Sequence, residues 1–140
     1  MALLSDKKTL TLATAKKVAA AAESFAAHNN WSVVIAVMDD GANLLYLERM
    51  DKALLGSITI AQQKARTSVL FKCPTKDLET GLAGGATSLL KLEILPYEGG
   101  IPITAGGGIA GAIGVSGCTP AQDGQVAQAG VDWLTNAMKQ

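Results

Sequence analysis

Few side chains in this sequence are spaced for catalysis. There is one histidine, His28, so any Ser–His–Asp or Cys–His arrangement must pass through it. His28 closes a helical pattern just before Asn29 and Asn30, where a histidine suits the helix dipole; it reads as a solvated helix-end residue. The two cysteines, Cys73 and Cys118, lie far apart and form no CxxC pair. With His28 they supply at most three scattered soft ligands, so no metal site is expected. They read as free thiols. Asp39, Glu48 and Asp51 bring three carboxylates together, and such groups can do acid–base work. Here they flank a hairpin and a loop, where acidic residues are common. Ser116 in Gly114-Val115-Ser116-Gly117 lacks the GxSxG spacing of a nucleophile elbow. Gly106-Gly107-Gly108-Ile109-Ala110-Gly111 matches GxGxxG, but a dinucleotide fingerprint needs a helix after the glycines. The following IAGAIGVSG alternates like a strand and is rich in glycine, which disfavours a helix. A hairpin turn fits better.

The elements that must carry these residues follow from periodicity. Thr11 to Asn30 predicts a helix: Thr11 is the N-cap, and Leu12, Ala15, Ala19, Ala22 and Ala26 recur at helical spacing beside Val18 and Phe25. Trp31 to Met38 is short, β-branched and apolar, as in a central strand buried on both faces. Asp39-Asp40-Gly41-Ala42-Asn43 forms a turn, and Leu44 to Glu48 returns as the second strand of a hairpin. After a charged loop from Arg49 to Gly56, Ser57 caps a helix that ends near Phe71, before Pro74. A short helix runs from Lys76 to Leu82 and ends at Gly84-Gly85. Ala86 to Leu95 reads as a mixed loop, with a further strand near Glu93 to Tyr97.

Ile101 to Thr104 and Ile109 to Ser116 predict two more strands. In the latter, Ile109, Ile113 and Val115 make one bulky face, whereas Ala110, Ala112, Gly114 and Ser116 leave the other almost bare. Something must pack very close to that bare face. The final helix has a complete start signal in Thr119-Pro120-Ala121-Gln122, and an apolar stripe through Val126, Gly130, Trp133 and Ala137. The resulting class is α+β on an antiparallel sheet.

Composition narrows the partners. The chain has 140 residues, the size of one ordinary domain, with 49% hydrophobic and 4% aromatic residues. Its 12 basic and 12 acidic residues cancel, which argues against a general nucleic-acid binder. No apolar run approaches the ~20 residues that span a bilayer, and the start turns polar at Ser5-Asp6-Lys7-Lys8, so a cytoplasmic protein is expected. The last forty residues hold only three charges, Asp123, Asp132 and Lys139. So little aromatic bulk and so much Ala and Gly predict that part of the surface is buried against other copies of the chain.

Six stretches carry a resemblance, in order: LTLATAKKVAAAAESFA, SVVIAVMDDGANLLYLERMDKALLGSI, IAQQKARTSVLF, PTKDLE, EGGIPI and GAIGVSGCTPAQDGQVAQAG. Together they resemble the haem-degrading GlcG/HbpS family, which also forms the C-terminal domain of PduO-type proteins. The resemblance implies one such domain over residues 1–140, with a profilin-like α+β fold and a five-stranded antiparallel sheet flanked by helices. It also implies homo-oligomers, dimers up to octamers, and haem binding in some members. The setting it implies is diol, glycerol or hydroxy-acid metabolism. Many relatives carry Asp-Gly at the last hairpin turn, where this chain has Ala105-Gly106-Gly107-Gly108.

The expected function is therefore that of a small cytosolic oligomeric protein binding haem, a related tetrapyrrole or a smaller metabolite. An accessory enzyme and a structural or chaperone-like partner of a neighbouring enzyme are the alternatives. A haem site needs an apolar slot, an axial ligand and cations for two propionates. His28, Met38, Tyr46, Met50, Cys73, Tyr97 and Cys118 are the available axial groups. Arg49, Lys52, Lys64 and Arg66 are the cations, with Arg49 and Lys64 inside the family-like stretches ERMD and QQKARTS. Asp39, Arg49, Met50 and Lys64 form the candidate ligand-binding set. The structural alternatives pair Arg49 with Asp39 or Asp51 and leave Lys64 solvated.

Overall fold

A computed structural model describes residues Met1–Gln140. Helix α1 (Leu12–His28) precedes a hairpin of β1 (Val34–Asp39) and β2 (Leu44–Arg49). Helices α2 (Ser57–Phe71) and α3 (Thr75–Ala83) and a 3-10 helix (Thr87–Lys91) come next. A second hairpin, β3 (Gly100–Ala105) and β4 (Gly108–Ser116), leads into α4 (Pro120–Met138). All strand pairs are antiparallel, in the order β2-β1-β4-β3. No helix is long and apolar enough to cross a membrane.

The sheet has four strands, not the five expected. Glu93 to Tyr97 forms no strand because its backbone is bonded to α2 side chains. The Leu95 amide donates to Thr67 Oγ1 at 3.0 Å, Arg66 Nη1 donates to the Glu93 carbonyl at 3.0 Å, and Pro96 has no N–H to offer a ladder. Pro102 sits in β3, an edge strand, where a missing donor is tolerated.

Local signals explain most element ends. The Thr11 hydroxyl accepts from the Thr14 amide and caps α1. In the first hairpin, Asp39 Oδ1 accepts from the amides of Gly41 and Asn43, both at 2.9 Å, so this carboxylate builds the turn. Between β3 and β4, Gly106 and Gly107 have φ of 61° and 81°. This two-residue turn with both φ positive matches the twist of the strands, so the GxGxxG string is a hairpin. The capping box of Thr119 and Gln122 is present, with Pro120 opening α4. Two details differ from expectation. Gly56, not Ser57, is the N-cap of α2, and Ser57 is buried, accepting from the Ser116 hydroxyl at 3.1 Å. The α4 stripe runs through Val126, Ala127, Gly130 and Leu134, leaving Trp133 partly exposed.

Helices cover both faces of the sheet. Helices α1 and α4 pack together on one face, where Val18, Ala22, Val126 and Ala127 meet Ile35, Val37, Ile113 and Val115. Helix α2 lies on the other face, where Ala61 and Ala65 meet Val34, Ala36, Met38 and Ala112. From Ala112 to Ser116 the bare face of β4 is thus the seat of α2, whereas the register shift in the β3–β4 pairing reverses the expected faces before it: Ile109 packs on the α2 side and Ala110 in the core under α1 and α4. A Cβ at Gly114 would run into the Ala61 carbonyl and lie 2.6 Å from the Ala65 amide nitrogen. Contact between the α2 backbone and the strand requires glycine there.

Gly114→Ala is therefore expected to destabilise the fold by about 1–3 kcal/mol through overpacking. Gly56→Ala, where nothing lies within 4 Å of the added carbon, should change stability by less than about 0.5 kcal/mol. Urea unfolding of the two variants checks the contrast; equal midpoints would show that α2 can move off β4 freely.

Candidate functional site

Three of the family-like stretches converge below one end of the sheet. Helix α2 supplies Lys64 from its sheet-facing side, and its side chain is completely buried. An ammonium offers three donors, and each direction is filled. Lys64 Nζ donates to the Val115 carbonyl at 2.8 Å and to Asp123 Oδ2 at 3.1 Å, and lies 5.1 Å from the centre of the Tyr97 ring. The ring face adds a cation–π contact. The expectation of a solvated Lys64 is therefore corrected: the sheet-facing side of α2 gives its amine no path to water.

Asp123 is nearly as buried and stands in the first turn of α4, where a carboxylate suits the positive end of the helix dipole. Its Oδ1 accepts from the Cys118 amide at 2.9 Å, so one carboxylate ties α4 to the loop that follows β4. Burial pulls the Lys64 amine below its ordinary range and pushes the Asp123 carboxyl above its own, and the ion pair opposes both shifts. No buried side-chain polar atom lacks a partner. Gly99 completes the centre: at φ 136°, a Cβ would come within 2.7 Å of Lys64 Nζ. Only glycine takes this backbone conformation and leaves the amine room.

Above this pair lies a cleft of about 300 Å³. Gly99 and Gly100 form its floor, with Lys76 and Asp77 of α3 on one side and Gly124, Gln125 and Gln128 of α4 on the other. Glu98 stands at its edge, and Ile101 is its only large apolar residue.

The other candidates lie elsewhere. Asp39 is spent on the hairpin turn. Arg49, at the end of β2, is exposed and pairs with neither Asp39 nor Asp51. Met50, next to it, is half-buried against the main core. The structure thus keeps Arg49 and Met50 together and sets Lys64 apart from them. His28 is exposed at the end of α1, its Nδ1 2.8 Å from the Ser24 carbonyl. Burial pushes the Cys73 and Cys118 thiols up, which leaves neither activated as a nucleophile. Sequence reasoning did not assign Asp123, Glu98 or Gly99 to a site. The one available signal was Asp123 itself, a lone charge in a charge-poor segment directly after a capping box.

The chain is thus an α+β protein on a helix-covered antiparallel sheet, with a buried lysine–carboxylate pair at the sheet end. The chain belongs to the family described as haem degrading protein HbpS-like, which matches residues 10–132. It is 44% identical over 114 residues to protein GlcG of Escherichia coli K12, covering 81% of this chain and 85% of that one. It superposes on a double mutant of Streptomyces reticuli HbpS with a TM-score of 0.87 at 37% identity, over 94% of this chain and 90% of that one. It superposes on PduOC, solved as a haem complex, with a TM-score of 0.80 at 28% identity, over 89% and 94% of the two chains.

One titration in the structure falls near neutral pH. Partial burial, then the neighbouring Glu23 carboxylate of α1, raise the Glu48 carboxyl from an ordinary 4.5 to about 7. The folded protein thus holds this proton more tightly than the unfolded chain does. The associated stability is complete below about pH 4.5 and is lost as pH rises through about 7. Thermal melts of the wild type should fall between pH 5 and 8 by more than those of Glu48→Gln. Parallel profiles for the two proteins would contradict the assignment.

Proposed function

We propose that this protein is a small self-associating ligand-binding protein that takes haem or a related tetrapyrrole on a partly exposed surface. The setting is the diol, glycerol or hydroxy-acid metabolism that the family resemblance implies. The observation that carries the reading is family membership together with likeness to PduOC in its haem complex. The polar cleft beside Glu98 is unsuited to a porphyrin, whose site must be largely apolar. The loop after β2 suits it better. Leu54 and Leu55 there are 67% and 72% exposed, and the unpaired Arg49 guanidinium precedes them. Arg49 serves a propionate and Met50 packs beside the ring. Asp39 and Lys64 act on the ligand only through the frame they hold. Self-association is supported by these leucines and by the exposed Leu70, Phe71, Leu90 and Leu92, since such apolar surface is costly in water.

Titration of the apoprotein with haemin should produce a saturating Soret band. Arg49→Ala should weaken binding about tenfold, the worth of one charge-assisted contact, and His28→Ala should change it little. Absence of the band contradicts the haem reading, and its loss in His28→Ala alone makes His28 the axial ligand. Light scattering on the same sample should give a multiple of 14.4 kDa; a monomer contradicts self-association.

A further inference from the structure

The cleft above the Lys64–Asp123 pair is left unused by the haem reading, and its charge is one-sided. The floor has few polar groups to give, and only its Gly99 amide finds no acceptor within the chain. The Gly100 amide donates to Thr75 Oγ1 at 2.8 Å, and the Gly99 carbonyl accepts from the Val115 amide at 2.9 Å. Behind the floor, the Lys64 charge is cancelled by Asp123. Recognition therefore falls to the side chains around the rim.

Those side chains carry a net negative charge. Glu98 is half-buried and makes no ion pair. Its carboxylate lies against Gly124, where a Cβ would sit 2.5 Å from Oε2, so the bare glycine lets the carboxylate lie along the cleft. Gln128 donates one N–H of its amide to Asp132 at 2.7 Å, which leaves its carbonyl oxygen free to accept and its second N–H free to donate. Asp77 adds a second carboxylate, and Lys76 is the only cation lining the cleft. Two carboxylates against one ammonium, beside the neutral amides of Gln125 and Gln128, make a negative hollow on a chain whose formal net charge is zero. Its volume is at the small end of ligand sites.

We propose that this cleft binds a small organic ammonium compound, its N–H donors held by the Glu98 carboxylate and the Gln128 carbonyl. Charge-assisted hydrogen bonds to a partly desolvated carboxylate supply the affinity, and the bare Gly124 sets the depth at which the ligand sits. The site is separate from the haem surface. The Gly100 end of β3 and the Arg49 end of β2 lie on opposite edges of the sheet, three inter-strand steps or about 14 Å apart. Either reading can therefore fail without the other.

The test is a titration of ¹⁵N-labelled protein with ethanolamine at neutral pH, with glycerol as the uncharged probe and acetate as the anionic one. Saturating shifts at the amides of Gly99, Gly100, Gly124 and Gln125 with ethanolamine alone are expected. Glu98→Gln should weaken binding about tenfold, the loss of one charge-assisted bond. Gly124→Ala, which pushes the carboxylate out of the cleft, should weaken it as well. Lys76→Gln should tighten it by removing a like charge. The spectra of the variants away from the cleft report that each is folded. No saturation with ethanolamine at millimolar concentration, equal binding of glycerol, or acetate binding that Lys76→Gln abolishes would each overturn the proposal.

Discussion

The end of the sheet is organised by the need to keep one ammonium group out of water. Moving a charge of that size into a low-dielectric interior costs several kcal/mol even after relaxation, and the cost is offset only when every donor finds a partner. Lys64 meets that demand with acceptors from separate elements: the end of β4 through Val115, the first turn of α4 through Asp123 and the loop before β3 through Tyr97. Asp123 passes the constraint on to the Cys118 amide. One buried pair therefore fixes α2, α4 and the chain entering β3 relative to one another. Of these, α4 and the chain entering β3 form one wall and the floor of the cleft, which α3 closes on the other side.

Small residues make this arrangement possible. Helix α2 approaches β4 closely because Gly114 has no side chain and Ala61 and Ala65 have short ones. Its approach places Lys64 deep enough to reach Val115. Gly99 and Gly100 let the chain pass directly over the lysine. The low aromatic content thus has a structural meaning, since bulk at these positions would separate layers that the ion pair holds together. The consequence is less apolar area buried within one chain, in keeping with the many leucines left on the surface.

Much of the fold was legible because local rules decided it. The N-cap at Thr11, the Asp39 turn, the glycine turn at Gly106-Gly107 and the capping box at Thr119 are short-range hydrogen-bond patterns. The bare face of β4 was legible from alternation between Ala112 and Ser116, but not at Ile109 and Ala110, where a register shift against β3 reverses the faces. The supposed strand at Glu93–Tyr97 was not, because its backbone partners, Thr67 and Arg66, lie on a distant helix. The site was legible only in part for the same reason. Lys64 could be singled out, but a lysine on a short stretch of helix looks solvated until its partner is known. Asp123 stands 59 residues away, and no local pattern connects the two. Arg49 was marked by the same reasoning, yet the structure leaves it at the surface without an acidic partner.

A double-mutant cycle on Lys64 and Asp123 tests most directly whether the buried pair governs this end of the fold. Lys64→Met leaves an uncompensated carboxylate, and Asp123→Leu an uncompensated ammonium. Each single change is expected to cost about 3–5 kcal/mol in urea unfolding. The double variant removes both charges and should lose less than either single variant, a coupling well beyond the ~0.5 kcal/mol scatter of independent sites. Costs that simply add would contradict the account, since Lys64 and Asp123 would then be acting as separate residues rather than as the pair on which the surrounding elements depend.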